Sequence, residues 1–558
     1  MRIALVKCPW WVRYCPPYIL AFFSTLLRNK GHEVSVFDMN NSLYYECSSE
    51  YRKYWDNRDY YSLWENPSFV EQLFTDSVFK ENVKKITSQH PGMVCFTTHT
   101  PNTLISLELA RKIKETDSDI VTVFMGHKAS RAQMAFDFIA QDHVDYVCTG
   151  EADIALPELI EKLEGGNDKG GLPRCPGFLV KEGKDIIDCG DPQVVSDLDA
   201  LLFPEYDDFT EDMRTMPYSQ PGRIDILDSR GCINDCHFCY ERLFWQKYRT
   251  MSGRRLFEQI TYHIDKMPET DYFYFNGLLL NGSLKVLDEF CELVLENSLS
   301  IRWAGQAMIR KDMTPELLKK MNAAGCEWLY FGVESGSGRV LEKMNKRHRP
   351  EEAVEVLKNT YEAGINAQIN IVFGFPGETE EDFFETLDFL KKVRPYINNV
   401  LASQSFCTLE KGTYLRNNPS EFGISSGDHH LYWKADKNDY ALRFDRYERF
   451  CQYALGIGVP ETSGVLLKKP DKWALLGDYY SYEGDHARAA GCYERSLNEE
   501  ARNRDTYSKL AENFEKQGDF RRAIENYEAA LDFEKGDFEA PEIIDTIKEK
   551  LEELKSIL

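Results

Sequence analysis

Three cysteines occupy one short stretch near the middle of the chain: Cys232, Cys236 and Cys239. Their Cys-x3-Cys-x2-Cys spacing can place three thiolates around one inorganic centre. Thiolates are soft ligands that select iron–sulfur clusters, zinc or cuprous copper. A [4Fe–4S] cube is usually held by four cysteines, so three cysteines leave one iron open. A structural zinc ion that recruits His237 or a distant residue is one alternative, and three free thiols are another.

The elements around this loop alternate between strand and helix from residue 221 to about 415. Strands are predicted at 224–228, 271–275, 301–304, 328–333, 366–373 and 399–406, and helices at 253–266, 283–297, 315–324, 350–363 and 380–393. Six such units predict an α/β region with the form of a partial (β/α)6 barrel. Catalytic groups of βα barrels lie at the carboxyl ends of the strands, which is where the cysteine loop falls.

The cysteine spacing resembles that of the radical S-adenosylmethionine (SAM) superfamily. The resemblance implies a [4Fe–4S] cluster on Cys232, Cys236 and Cys239, with SAM chelating the open iron. In this superfamily an electron from the cluster cleaves SAM and releases a 5'-deoxyadenosyl radical. Phe238 matches the aromatic residue that the superfamily places near the adenine of SAM.

Two later segments also resemble the superfamily pattern. Residues 324–337 resemble its fourth-strand segment, which implies that Glu334 and Ser335 hydrogen-bond SAM. Residues 373–379 resemble the glycine-rich turn on the adenine side of SAM, which implies contacts from Gly374, Pro376 and Gly377. Glycine suits such a turn because a Cβ would block close backbone approach.

The end of the second barrel strand departs from many relatives, which carry an acidic segment there to bind the SAM amino group. This chain has Phe275-Asn276-Gly277 instead. The resemblance implies that Asn276 contacts SAM through an amide oxygen, which is a weaker acceptor than a carboxylate.

Residues 1–165 alternate in the same way and predict a Rossmann-like, doubly wound parallel sheet. Strands are predicted at 3–7, 33–37, 93–98, 120–124 and 146–149, and helices at 17–29, 101–116, 131–141 and 157–163. Ligands in such folds bind at the carboxyl ends of the strands. An aromatic and acidic insertion at about 41–90 could cap a pocket or form a helical surface excursion.

This first region resembles the cobalamin-binding domain that precedes the radical domain in one class of radical SAM enzymes. The resemblance, strongest at residues 144–153, implies cobalamin contacts from Asp38, Gly126, His127, Gly150 and Glu151. The cobalt-ligating histidine of cobalamin mutases is absent, and a single glycine stands where a Gly-Gly-Pro-His segment is common. A degenerate Rossmann-like domain without a cofactor is the alternative.

The rest of the chain is predicted to comprise a linker at 166–220, a mixed connecting region at 416–469 and a helical tail at 470–558. Leu476, Gly484 and Tyr493 recur as Leu510, Gly518 and Tyr527, a shift of 34 residues. That period is typical of tetratricopeptide (TPR) helical hairpins. The TPR-like tail could dock a protein partner or pack on the barrel as a helical extension.

Composition narrows the class of protein. The 558 residues carry a formal net charge of −24, which argues against nucleic acid as the main partner. No run of about 18 apolar residues predicts a membrane span. Fifteen cysteines without a paired framework favour reduced thiols in a cytoplasmic protein.

The resemblance as a whole implies a cobalamin-dependent radical SAM enzyme that methylates an unactivated carbon. The substrate, a small molecule, a peptide or a carrier-bound intermediate, is not specified by the sequence, and flavodoxin or ferredoxin is the implied electron donor. One alternative is a radical rearrangement, cyclisation or oxidation in which cobalamin does not methylate or is absent. Another is a zinc-stabilised TPR scaffold without catalysis.

Overall fold

A computed structural model describes residues 1–49, 51–56, 63–65, 67–74, 76–165, 172–402, 406–459, 472–499, 504–532 and 541–557. The described chain forms an N-terminal mixed sheet, a central parallel sheet and a C-terminal all-helical region. The predicted α/β class is therefore correct for the first two regions and the predicted all-α class for the third.

The N-terminal region is built on a seven-stranded sheet with the order β2-β1-β3-β4-β5-β6-β7. Its strands are β1 (Arg2–Lys7), β2 (Glu33–Asp38), β3 (Met93–Thr97), β4 (Val121–Met125), β5 (Tyr146–Cys148), β6 (Phe178–Glu182) and β7 (Asp185–Asp188). Its helices are α1 (Tyr18–Asn29), α2 (Met39–Glu46), α3 (Lys53–Asp56), α4 (Pro67–Leu73), α5 (Asp76–Thr87), α6 (Thr103–Thr116), α7 (Ala135–Ile139) and α8 (Ala152–Glu164).

The sheet is mixed and not wholly parallel, which corrects the predicted doubly wound parallel sheet. Strands β1 to β5 pair in parallel, whereas β6 is antiparallel to both β5 and β7. These two added strands lie within residues 166–220, which were predicted to be a linker; residues 166–171 fall outside the described part. Gly183, with a φ of 63°, lies in the short turn that joins β6 to β7.

The insertion at about 41–90 is helical where the structure describes it. Trp55 and Trp64 are buried and pack edge to face with ring centroids 4.7 Å apart. Both rings belong to the apolar cluster that covers one face of the N-terminal sheet. The aromatic residues of the insertion therefore extend the core.

The central region is built on six parallel strands that follow one another in chain order. The strands are β8 (Arg223–Ile226), β9 (Ser229–Arg230), β10 (Arg249–Thr250), β11 (Tyr272–Phe275), β12 (Arg302–Ala307), β13 (Cys326–Glu334), β14 (Asn366–Ile371) and β15 (Asn399–Ala402), of which β9 and β10 form a separate ribbon. The helices are α9 (Thr210–Thr215), α10 (Glu241–Trp245), α11 (Gly253–Lys266), α12 (Leu284–Glu296), α13 (Pro315–Ala323), α14 (Gly338–Lys343), α15 (Pro350–Glu362) and α16 (Glu380–Val393).

The two faces of the central sheet differ because side chains alternate along each strand. Phe273, Leu329 and Ile369 point to the helix-covered face and are fully buried. On the opposite, inner face Tyr330 is half-buried and Gln306 is exposed, although both lie on interior strands. The inner face therefore borders open space.

The connecting region and the tail are mainly helical. They contain α17 (Tyr414–Asn417), β16 (Ile424–Ser426), β17 (Lys434–Ala435), α18 (Tyr440–Gly456), α19 (Lys472–Tyr482), α20 (His486–Glu499), α21 (Arg504–Lys516), α22 (Phe520–Leu531) and α23 (Pro541–Ile557). Gly484 and Gly518 share a φ of 77°, and Tyr493 and Tyr527 are both buried, so the 34-residue repeat occupies equivalent positions.

The tail packs on the connecting region through its first helix. Trp473 of α19 lies against Phe444 of α18 with ring centroids 5.6 Å apart, and Lys472 pairs with Glu448 at 2.7 Å. Across all described helices, none has the length and apolar character needed to cross a membrane.

Candidate functional site

The cysteine loop runs between β9 and α10, beyond the carboxyl end of β8. Arg230 and Arg249 face each other across the β9–β10 ribbon, which closes the neck of the loop. Gly231 has a φ of 78°, and a Cβ there would lie 2.5 Å from the carbonyl oxygen of Lys247. Glycine is therefore required directly before Cys232.

The end of α14 and the residues that follow it support the loop from one side. The backbone N–H of His237 donates to the Met344 carbonyl at 3.0 Å, and the His237 Nδ1 lies 2.9 Å from the Lys343 carbonyl. Asn345 donates from Nδ2 to the Asp235 carbonyl at 2.8 Å. The loop is thus held by backbone atoms on both sides of Cys236.

A buried ion pair lies beside two of the cysteines. Lys346 Nζ is 3.2 Å from Oε1 of Glu334, and the two side chains are 7% and 12% exposed. Burial opposes the charge on Lys346, but Glu334, Cys236 and Cys232 outweigh it and raise the lysine pKa. Burial raises the pKa of the Cys239 thiol to about 12 and that of Cys236 as well, while Lys346 acts the other way on Cys236.

This donor set fits a cluster. Cys232, Cys236 and Cys239 are free and half-buried, and a cation stands near two of them to offset thiolate charge. Within the described ranges no three His, Cys, Asp or Glu side chains converge on one metal-ion position. A four-iron cube binds its cysteines on separate irons, so it does not require such convergence.

The residues predicted to bind the methionine part of SAM lie in two settings, at the edge of the central sheet and inside a turn. Asn276 is exposed directly after β11, and Glu334 ends β13 with a φ of 73°, so both lie at the carboxyl edge of the central sheet. Ser335 is 0% exposed and accepts a hydrogen bond from the Ser337 N–H at 3.1 Å. Its hydroxyl also lies 3.3 Å from Thr386 Oγ1, so Ser335 supports the turn that follows β13.

The glycine-rich turn is filled by the chain's own side chains. Gly374 has a φ of 71°, and the aliphatic part of Arg443 occupies the space that a Cβ would need. Gly377 has a φ of 81°, and a Cβ there would lie 3.0 Å from Lys343 Nζ. Pro376 between them is buried. Internal packing is sufficient to require both glycines, and their role near adenine stays a prediction.

Phe238 anchors the cysteine loop. Its ring packs, partly buried, against an apolar cluster that includes Met344, Phe375, Leu415 and Trp433. The cluster lies between the loop, the glycine-rich turn and the connecting region.

The predicted cobalamin contacts lie at the carboxyl edge of the N-terminal sheet, where they make contacts within the protein. Asp38 is buried and accepts hydrogen bonds from the Tyr218 hydroxyl at 2.8 Å and from the Asn41 N–H at 3.3 Å. Burial raises the Asp38 pKa, and Lys7 acts in the opposite direction. Asp38 thus caps α2 and fixes the segment that leads to β8.

Gly126 and His127 follow β4, and His127 contacts the helix that comes after the cysteine loop. A Cβ on Gly126, whose φ is 110°, would lie 2.7 Å from the Thr98 carbonyl oxygen. His127 Nδ1 lies 3.0 Å from Oε2 of Glu241, and its ring stacks on Phe244 with centroids 4.4 Å apart. Both partners belong to α10, directly after Cys239.

Gly150 and Glu151 begin a buried group of charges that joins the two sheets. A Cβ on Gly150 would lie 2.8 Å from Pro192. Arg230 donates to Glu151 at 2.6 Å and to both carboxylate oxygens of Asp153 at 2.7 and 2.8 Å. Arg249 also donates to Glu151, with one contact at 3.2 Å. We call Glu151, Asp153, Arg230 and Arg249 the interdomain clamp.

Of the clamp only Glu151 was predicted as a site residue; Asp153, Arg230, Arg249 and Lys346 were not. Arg230 lies two positions before Cys232, and Lys346 lies in the segment already matched to the superfamily. The sequence signal that could have identified Arg230 was a charged residue close to the cysteine loop. The pairing of Arg230 with Glu151, 79 positions earlier in the chain, is visible only in three dimensions.

The five predicted residues make contacts within the protein, and their role in cobalamin binding stays a prediction. Asp38, His127 and Glu151 are engaged by other side chains, and the two glycines are close-packed against the protein itself.

The loop, the six parallel strands and the residues at their carboxyl edge define a radical SAM domain. Residues 226–390 match the model of the Radical SAM superfamily. An uncharacterised methyltransferase of Pyrococcus horikoshii is 25% identical over 326 residues, which cover 58% of this chain and 69% of that protein. Anaerobic magnesium-protoporphyrin IX monomethyl ester cyclase of Rubrivivax gelatinosus is 23% identical over 340 residues, or 59% of this chain and 60% of the cyclase.

Solved structures of cobalamin-dependent enzymes share the fold. The radical enzyme OxsB with aqua-cobalamin bound has a TM-score of 0.62 at 14% identity, covering 100% of this chain and 84% of OxsB. The methyltransferase TsrM from Kitasatospora setae, with cobalamin and a [4Fe-4S] cluster bound, has a TM-score of 0.57 at 16% identity, covering 76% and 79%. At these identities the likeness is one of fold.

Proposed function

We propose that this chain binds a [4Fe–4S] cluster on Cys232, Cys236 and Cys239 and uses it to cleave SAM. The observation that carries the proposal is the group of three half-buried thiols beside the Glu334–Lys346 ion pair, inside the region that matches the superfamily. When bound, the cluster and SAM supply an electron transfer that cleaves the sulfonium and yields a 5'-deoxyadenosyl radical.

The chain's own residues orient this chemistry. Lys346 offsets the negative charge of the thiolates, and Glu334 pairs with it from the end of β13. Glu334 and Asn276 stand at the edge where a carboxylate and an amide oxygen can accept hydrogen bonds from the SAM ammonium. Ser335 acts through the turn that it supports, while Phe238, Gly374, Pro376 and Gly377 form the side assigned to adenine.

The finer proposal is cobalamin-dependent methyl transfer to an unactivated carbon. Its support is the likeness of the fold to OxsB and TsrM and the methyltransferase among the relatives. The hopanoid C-3 methylase of Methylococcus capsulatus, 24% identical over 310 residues that cover 52% of this chain and 54% of that enzyme, adds to it. The cyclase relative favours the second candidate, a radical cyclisation, rearrangement or oxidation without methyl transfer.

The architecture behind this proposal has three parts. They are a Rossmann-like region of the cobalamin-binding type, a partial (β/α)6 barrel and a TPR-like tail. A flavodoxin or ferredoxin would reduce the cluster, and the tail would dock a protein partner or remain a packed extension. The repeat of Gly484 and Tyr493 at Gly518 and Tyr527 supports the TPR assignment.

The test uses full-length protein purified without oxygen, reconstituted with iron and sulfide and offered hydroxocobalamin. We expect about four irons per chain and release of 5'-deoxyadenosine from SAM on reduction. Retained cobalt with S-adenosylhomocysteine as a second product supports methyl transfer, whereas 5'-deoxyadenosine alone without cobalt supports the second candidate. Zinc in place of iron would overturn both.

A further inference from the structure

Lys7 is a buried lysine without a carboxylate partner. It ends β1 at the carboxyl edge of the N-terminal sheet and is 4% exposed. Among the described residues no carboxylate oxygen lies within the 4.0 Å of an ion pair from its Nζ. Its ammonium lies 5.0 Å from the ring centroid of Trp11. Buried charges in proteins are ordinarily paired, so this ammonium is set up to receive a partner.

A second donor lies beyond the same aromatic ring. Trp11 stacks on His99 with centroids 4.3 Å apart and planes 21° apart, and His99 follows β3. The His99 backbone N–H donates to Asn102 Oδ1 at 2.7 Å, and the Asn102 N–H donates to the His99 carbonyl at 3.3 Å. Burial, Lys7 and His127 lower the His99 pKa well below its usual range. A neutral imidazole carries a proton on one of its two nitrogens, which can donate a hydrogen bond.

Two carboxylates and a thiol act on Lys7 without forming an ion pair with it. Asp38 and Asp225 are the carboxylates that act on it, together with the thiol of Cys15. Asp225 is already paired with Arg223 at 2.8 Å, and Asp38 accepts from Tyr218. Neither carboxylate is close enough to form an ion pair with Lys7.

The position of Lys7 places it between the two sheets. Tyr14, in the loop that follows β1, lies with its ring centroid 4.8 Å from the Arg223 guanidinium, and its carbonyl accepts from the Gln220 N–H at 3.1 Å. The loop that follows Lys7 therefore lies against the central sheet. Tyr274 of β11 and Tyr330 of β13 are half-buried on the inner face of this sheet, and Gln306 of β12 is exposed. A ligand lying on the inner face of the central sheet would come within reach of the N-terminal sheet edge.

We propose that Lys7, Trp11 and His99 form an oxyanion site that binds the carboxylate or phosphate group of the substrate between the two sheets. Assignment to the substrate rests on the proposed function, whereas anion binding itself does not. The phosphodiester of a corrinoid has the same chemistry and is the other source.

The affinity of the site for an anion should depend on whether Lys7 is protonated. Burial lowers the Lys7 pKa to about 8, although Asp38, Cys15 and Asp225 raise it in turn. Because only the ammonium form attracts an anion, affinity should fall as the pH rises through about 8. His99 is neutral across this range and does not contribute to the change.

The probe is inorganic phosphate, titrated calorimetrically into the full chain at millimolar concentration. Loss of a charge-assisted hydrogen bond should weaken binding about tenfold or more in Lys7→Met, while Lys7→Arg should retain it. The control Lys53→Met removes an exposed lysine over the Tyr54 ring and should leave phosphate binding unchanged. Equal binding by Lys7→Met and wild type, or no binding by wild type, would overturn the site.

Two further titrations, with hydroxocobalamin and with cobinamide, show whether the bound anion belongs to the substrate or to a corrinoid. Hydroxocobalamin carries the phosphodiester, and cobinamide has the corrin without it. If Lys7→Met weakens phosphate binding and leaves both corrinoids unaffected, the substrate assignment is supported. If it weakens hydroxocobalamin alone, the substrate assignment is overturned. Iron content, measured on the same samples, reports failure of the radical SAM proposal separately, since phosphate binding does not require the cluster.

Discussion

The carboxyl edges of the two sheets carry chemically similar residues that are used differently. At the central edge Glu334 and Lys346 pair with each other beside the half-buried cysteine loop, and Asn276 is exposed. At the N-terminal edge Glu151 and His127 reach across to Arg230 and to α10. The central edge leaves Asn276 exposed beside the cysteine loop, while these residues of the N-terminal edge hold that loop in place.

A residue at the carboxyl edge of a sheet, where ligands bind in this fold, does not for that reason alone contact a ligand. Glu151 lies where a bound cofactor would be expected in this fold, yet its carboxylate neutralises two arginines at the neck of the loop. The N-terminal region can therefore be required for cluster chemistry even in an enzyme that binds no cobalamin.

The largest effect is expected at the central edge. Cys236→Ser removes one of three thiolate ligands, so the reconstituted protein should lose most of its iron, its absorbance near 400 nm and its release of 5'-deoxyadenosine. Cys492→Ser changes a half-buried cysteine of the helical tail and serves as the control. Equal loss in both variants would mean that the effect is not specific to the loop.

The next largest effect is expected at the N-terminal edge, from a substitution in the interdomain clamp. Glu151→Ala leaves Arg249 without its buried partner and should reduce the free energy of unfolding by about 3–5 kcal/mol, with reduced iron retention. Denaturant titration measures the first effect and iron analysis the second.

The control for the clamp is Glu108→Ala, which breaks a partly exposed pair with Arg111 at 2.6 Å. It should change stability by no more than about 1 kcal/mol. Wild-type stability and iron in Glu151→Ala, combined with lost binding of hydroxocobalamin, would instead make Glu151 a cofactor contact.

The substitution Glu334→Gln tests whether Glu334, at the end of β13, binds SAM. The amide is a poorer acceptor for an ammonium and leaves Lys346 unpaired, so the Kd for SAM should rise about tenfold. Equilibrium binding to the reconstituted protein measures this change. Glu327→Gln, near the start of the same strand, should leave the Kd unchanged, and a wild-type Kd in Glu334→Gln would remove this residue from the site.

The smallest effect is expected from His127→Phe. The new ring can keep the stack on Phe244 while it loses the contact with Glu241, so stability should fall by about 1 kcal/mol or less. Cobalt retention should not change. Loss of cobalt at unchanged thermal stability would show that His127 contacts the corrinoid.

Local patterns in the sequence predicted most of the fold. Alternating β-branched strands and amphipathic helices located every strand of the central sheet, and the 34-residue repeat located the helical hairpins of the tail. Strands β6 and β7 were missed because glycines and prolines around 166–192 suggested a linker. Pairing partners are set by the sheet and not by local composition, so antiparallel addition to β5 could not be read locally.

The candidate site was predictable only in part. The cysteine spacing identified the loop and its superfamily because the ligands lie close together in the sequence. The direction of each side chain was not predictable: Ser335 turns inward to Thr386, and Glu151 turns to Arg230. Lys7 belongs to no motif, because its lack of an ion pair depends on where Asp38 and Asp225 lie in three dimensions.

The most direct test of the account is an electron paramagnetic resonance spectrum of the reduced, reconstituted full-length protein, recorded with and without SAM beside an iron count. The account predicts about four irons per chain, a signal from a reduced iron–sulfur cluster and a change in that signal when SAM binds the open iron. A cluster signal that SAM leaves unchanged, or a chain that retains zinc and no iron, would contradict it.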